Sequence, residues 1–93
     1  MSKHKETAQR AVETHSETLK ILKQVIWYGD APEAYKTTLQ YRQRIERDRL
    51  NSAQALLEHA NAGRPDTPQI DQHAERIDKL RKQTDELNQT LKT

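Results

Sequence analysis

Trp27-Tyr28-Gly29-Asp30-Ala31-Pro32-Glu33 decides the fold, because it reads as the stop of one helix followed at once by the start of another. It holds the sole Trp, one of two glycines and one of three prolines of a 93-residue chain. Gly29 fits the position just past a helix end, where positive φ is common. Asp30 fits the N-cap of the next helix, and Glu33 three residues on completes a capping box. Pro32 falls in the first turn, where its missing N–H costs nothing.

Upstream of this stretch the spacing predicts a helix over about 3–28. Ala8, Val12, His15, Leu19, Leu22 and Ile26 recur in steps of four and three, widened by Ala11 and Val25. Downstream a second helix is expected over about 31–61, ending at Gly63 with Pro65 just beyond. Thr67 is the expected N-cap of a third helix over about 68–92, with Pro68 at its first position. That helix has the cleanest seam: Ile70, His73, Ile77, Leu80, Thr84, Leu87 and Leu91. Glu75–Lys79 and Asp78–Lys82 add favourable i,i+4 pairs on its flanks. No strand pattern and no internal repeat is evident.

The fold expected is all-α, with residues 1–93 as a single helical domain. Short turns favour antiparallel neighbours, giving an elongated antiparallel three-helix bundle or a helical hairpin plus third helix. The three-four stepping predicts coiled-coil-like heptad seams. Apolar residues make up only 32% of the chain and charged residues another 32%. Counting Val, Ile, Leu and Trp gives seventeen strongly apolar side chains. At about 1.5–3 kcal/mol for each one fully buried, such a chain is marginal alone, so an oligomer or a protein partner is expected.

The second helix breaks its own apolar pattern. Tyr35, Leu39, Ala53, Leu56, Leu57 and Ala60 share a face with Arg42, Glu46 and Arg49. Three readings fit: an ion-pair ladder within the helix, a polar layer that fixes register, or an arginine site facing a partner. His15, on the first helix, falls near the same level, roughly opposite Ile45. The run from Tyr41 to Arg49 is also superficially similar to the basic region of helix-loop-helix transcription factors, through Glu46-Arg47-Asp48-Arg49 and Asn51. Two acids interrupt it, and phosphate binding needs an uncompensated basic stripe. Nucleic-acid contact through Arg42, Arg44, Arg47 and Arg49 is therefore the alternative expectation, and the net charge of +2 adds little to it.

Catalysis is not expected, and neither a cofactor nor a metal. The chain has no Cys, and none of its four histidines has another at i+4. His15 and His73 lie on seams, where packed or hydrogen-bonded core histidines are expected. Gly29 and Gly63 read as helix stops, so no phosphate-binding loop is present. No apolar run approaches the roughly 20 residues of a membrane span, and no signal-peptide pattern opens the chain. A cytoplasmic location without membrane contact is expected, and export without a signal peptide is compatible with it.

Trp27-x-Gly29 between two helices, followed by Glu33-Ala34-Tyr35, resembles the WXG family of small helical-hairpin proteins. The resemblance covers about residues 19–60. It implies two antiparallel helices joined at the Trp-x-Gly turn, pairing into four-helix dimers and export by a specialised secretion system. The sequence departs from the family in a shorter first helix and an added third one. The Tyr-x-x-x-Asp/Glu export signal is missing too, since Tyr28, Tyr35 and Tyr41 precede Pro32, Leu39 and Ile45 at that spacing.

These features predict a non-enzymatic helical interaction module: an adaptor, an inhibitor or a self-assembling small protein of the kind common in bacteria and their phages. Trp27 projects about 100° from the apolar stripe of its helix. Either it folds over the turn onto Tyr35 or Tyr28, or it stands out with Tyr28 and Tyr41 near Lys23 and Lys36. In the second case Trp27, Tyr28, Tyr35, Tyr41, Arg42 and Arg49 are the partner-binding candidates, since aromatic residues and arginine dominate interface hot spots.

Overall fold

The computed structural model describes residues 3–29 and 32–92, with Lys92 described by its backbone only. Three helices account for nearly all of it: α1 (Lys5–Tyr28), α2 (Glu33–Asn61) and α3 (Pro68–Lys92). No strand occurs among the described residues. The helices lie side by side in a body of 48 × 21 × 18 Å. His15 on α1 meets Glu46 on α2, so these two helices run antiparallel across the turn. His4 meets Asp71, Thr14 meets Asp85 and Thr18 meets Asn88, so α3 runs parallel to α1. α1 packs on both neighbours, whereas α2 and α3 meet far less.

The turn that defines the fold is built differently from its sequence reading. Asp30, the expected N-cap, and Ala31, the expected helix start, lie outside the described residues. Pro32 is not inside the first turn but one position before it, with φ −59° and ψ 153°. Its carbonyl accepts the Lys36 N–H at 3.0 Å, so it occupies the cap position itself. The fixed ring torsion of proline suits that extended geometry. Gly29 is also corrected: φ is −94° and ψ 153°, an extended residue rather than a left-handed one. Glycine is required there for space. A Cβ would stand 2.6 Å from the Val25 carbonyl oxygen, to which the Gly29 N–H donates at 3.2 Å.

The second turn follows its expectation more closely. Gly63 takes φ +68°, and its N–H donates to the Ala60 carbonyl at 3.2 Å. Thr67 caps α3, its Oγ1 accepting the Ile70 N–H at 3.2 Å. Asp78 pairs with Lys82 at 3.3 Å as the i,i+4 spacing predicts.

The interior divides along the long axis. At the Gly63 end, Ala8, Ala11, Ala53, Leu56, Ala74 and Ile77 form the apolar core, with Val12, Leu57 and Ile70 against it. Four of those six side chains are alanine, which allows close approach of the helix axes. Midway the interior turns polar: His15, Thr18, Glu46, Thr84 and Asn88 are all buried. Leu22 and Leu39 close the end near Trp27.

The buried row of α3 is therefore displaced from its hydrophobic seam. Ala74, Ile77, Thr84 and Asn88 are buried, while Leu80, Leu87 and Leu91 are only half-buried and His73 is exposed. His73 is not a core histidine, in contrast to His15. The same displacement occurs in α1, where Ala11 and Thr18 go inside and Val12, Leu19 and Ile26 stay half-buried. Both rows keep three-four spacing but rotate toward the polar layer that α1, α2 and α3 share.

Gly63→Ala tests the second turn. Nothing lies within 4 Å of a Cβ there, so only the left-handed backbone penalises the substitution. A loss of about 1 kcal/mol is expected, read as a fall in Tm of roughly 4–8 °C. Gly63→Asn should lose less, because Asn tolerates that conformation better.

Candidate functional site

The layer across the middle of the molecule is organised by one carboxylate. Glu46 is fully buried. Its Oε2 accepts from His15 Nδ1 at 2.8 Å, and its Oε1 lies 2.9 Å from the Arg42 guanidinium and 3.4 Å from that of Arg49. The Thr84 hydroxyl donates to the same carboxylate, 2.9 Å from Oε1 and 3.1 Å from Oε2. Arg49 donates in turn to Thr84 Oγ1 at 3.0 Å. Side chains from all three helices thus converge on Glu46. The ladder within α2 and the polar layer, alternatives in the sequence, are the same structure.

One turn further along, Thr18 donates to Asn88 Oδ1 and to the Thr14 carbonyl, and Asn88 Nδ2 donates to that carbonyl at 3.4 Å. Thr14 donates to Asp85 at 3.1 Å, and Asp85 is also paired with Arg81. Thr84 belonged to the predicted seam of α3, but its role did not. Asn88 carries no signal in the sequence, since it flanks the leucine row.

Burial pushes the Glu46 carboxyl upward. Hydrogen bonds from His15 and Thr84, followed by the Arg42 and His15 charges, outweigh it and hold the group below the ordinary carboxylate range. Burial lowers the Arg49 guanidinium, opposed by Glu46 and reinforced by Arg42. Such a layer cannot serve as a general acid or base for an outside substrate, because Glu46 has no solvent-accessible face.

The four aromatic side chains behave oppositely. Trp27 is 72% exposed, Tyr28 86%, Tyr35 52% and Tyr41 67%. Trp27 does not fold down over the turn, so the exposed arrangement is the observed one. Trp27, Tyr28 and Tyr35 cluster at the end of the molecule where α1 passes to α2, and Tyr41 stands farther along α2.

Tyr35 also borders a groove of about 580 Å³ between α2 and α3, walled by Leu22, Leu39, Leu87 and Leu91. Arg42 reaches this groove, and its Nε is buried without a hydrogen-bond partner. A second opening of about 370 Å³ follows along the same helix pair, between Ile45, Arg49, Ile77 and Leu80. Of the predicted partner-binding residues, the structure places Trp27, Tyr28, Tyr35 and Tyr41 on the surface and draws Arg42 and Arg49 toward Glu46. Of the four arginines considered for nucleic acid, only Arg44 and Arg47 are left exposed.

No helix of the described residues is long and apolar enough to cross a membrane. At the end remote from Trp27, His4, Asp66 and Asp71 bring metal-ligand atoms together from distant parts of the chain. Comparison with known protein families, curated proteins and solved structures yields no match.

Glu46→Gln tests the layer. Removing the charge leaves two guanidinium groups facing a neutral amide, and a loss of about 3 kcal/mol is expected at neutral pH, from a lower urea midpoint. The folded-state pKa of Glu46 is depressed, so its contribution is full above the ordinary carboxylate range and is lost as pH falls through the folded value. The gap between wild type and variant should therefore close in acid.

Proposed function

We propose that this chain is a non-enzymatic helical protein–protein interaction module that assembles with further copies of itself. The aromatic turn and the groove between α2 and α3 form its contact surface. The observation that carries this reading is an inversion of burial: Trp27, Tyr28, Tyr35 and Tyr41 are exposed, while at mid-length His15, Thr18, Glu46, Thr84 and Asn88 are buried beside a small apolar core. Aromatic rings bring more area to an interface than other side chains and dominate its energetics.

The exposed area supports the same reading. The chain presents 6636 Å² to solvent, against roughly 5,600 Å² expected for a compact monomer of 10.9 kDa. The surplus, about 1,000 Å², is near the roughly 800 Å² that each partner hides in a standard interface. Leu80, Leu87 and Leu91, half-buried at heptad spacing along α3, supply a seam for coiled-coil-like contact with a second three-helix bundle. The resemblance to WXG proteins implies assembly by pairing of helical hairpins, which is the same kind of contact.

Light scattering against concentration, read together with the emission of the sole Trp, tests the proposal. The expected mass is a multiple of 10.9 kDa, with Trp27 emission moving to shorter wavelength as assembly proceeds. Trp27→Ala should shift the population to the single chain while its circular dichroism stays that of the parent. A 10.9 kDa species throughout the series would reject self-assembly. Early melting and loss of helix in Trp27→Ala would make Trp27 part of the interior.

A further inference from the structure

We propose that His4, His59, Asp66 and Asp71 form a divalent transition-metal site, of the zinc class, at the Gly63 end of the molecule. These residues come from four separate places in the chain. His4 directly precedes α1, His59 lies in the last turn of α2, Asp66 lies between α2 and α3, and Asp71 lies in the first turn of α3. Topology alone brings them together: α1 and α3 begin at this end, and α2 finishes there.

The geometry suits an ion. One ligand atom each from His4, Asp66 and Asp71 lies within 4.8 Å of the other two. His4 Nε2 is 2.7 Å from Asp71 Oδ1, and His59 Nε2 is 3.4 Å from Asp66 Oδ1. Around a tetrahedral ion with bonds of about 2.0–2.1 Å, neighbouring ligand atoms stand roughly 3.3 Å apart, which the two His–Asp pairs already approach. His59, which lies outside the compact group of three, would have to turn toward His4 and Asp71 to complete the set. Two imidazole nitrogens and two carboxylate oxygens are the donors a zinc-class ion accepts, and the two carboxylates balance its charge.

A second observation points the same way. His59 Nε2 is buried and has no hydrogen-bond partner, although it faces the Asp66 carboxylate. A buried ring nitrogen without such a bond is costly in a chain with so small a core. A metal bond would satisfy it. His4, His59 and Asp66 side chains are only 14%, 15% and 17% exposed, so the site is sheltered, while Asp71 at 45% leaves a path for entry. Lys3, 3.3 Å from Asp71 and itself largely exposed, would swing aside at small cost.

Such an ion would tie the first residues of the chain to a helix whose contact residue lies 67 positions away. Free energy of binding would then be free energy of folding. Sequence spacing hides the site, because no two of its ligands share a helix.

Titration of the metal-stripped chain with Co2+ and Zn2+ tests the proposal. The expected result is one ion per chain, visible Co2+ absorption of tetrahedral intensity, displacement of Co2+ by Zn2+, and a Tm that rises saturably with Zn2+. His59→Gln and Asp66→Asn should each weaken binding at least about tenfold, and His73→Gln, which alters an exposed histidine outside the cluster, should leave it unchanged. Should either ligand variant lose its helicity without metal, Lys3→Ala supplies the remaining readout, since removing the competing ammonium should tighten binding. Absence of uptake, one ion shared by two chains, or equal binding by parent and His59→Gln with Asp66→Asn combined would each overturn the site.

Discussion

A buried carboxylate constrains everything else in this molecule. Glu46 is removed from water at the centre of a small helical protein, where an unpaired charge would cost several kcal/mol. It is kept ionised by donors that no single helix could supply: Arg42 and Arg49 on its own helix, His15 on α1 and Thr84 on α3. Sliding α1 or α3 by one residue along α2 would remove a donor. The layer thus fixes the register of three helices whose alanine-rich apolar contacts would fit several alignments.

That requirement has a consequence for the hydrophobic residues. To place Thr84 and Asn88 inward, α3 turns its leucines partly outward, and α1 does the same with Val12 and Leu19. The few large apolar side chains the chain possesses are then divided between a small core and an open groove. The groove is lined by leucines together with Arg42 and Glu86, and Arg42 is paired with Glu46. Specificity of register inside and unspent apolar surface outside have one cause.

The two ends of the molecule differ in chemistry. Near Trp27 the surface is aromatic and exposed, with no side-chain cap at the start of α2. Near Gly63 it is histidine and aspartate, with His4 against Asp71 and His59 against Asp66. The apolar core lies against the Gly63 end, so the aromatic end is the less firmly packed one.

The sequence by itself determined the helices. Their number, the second turn and the Thr67 cap follow from Gly, Pro and Thr acting on the nearest few bonds, and three-four spacing marks which residues share a face. The all-α fold and the burial of His15 were legible on those grounds. Gly29 was not, because a glycine serves equally for positive φ or for room against the Val25 carbonyl, and only the path of the backbone distinguishes them. Which residues of a broad face turn inward was decided by tertiary structure, since a buried Glu46 rewards polar neighbours over leucines and periodicity counts only apolarity. The same limit hid Asn88 and the cluster of His4, His59, Asp66 and Asp71. Their proximity exists only once antiparallel packing folds distant segments onto one end.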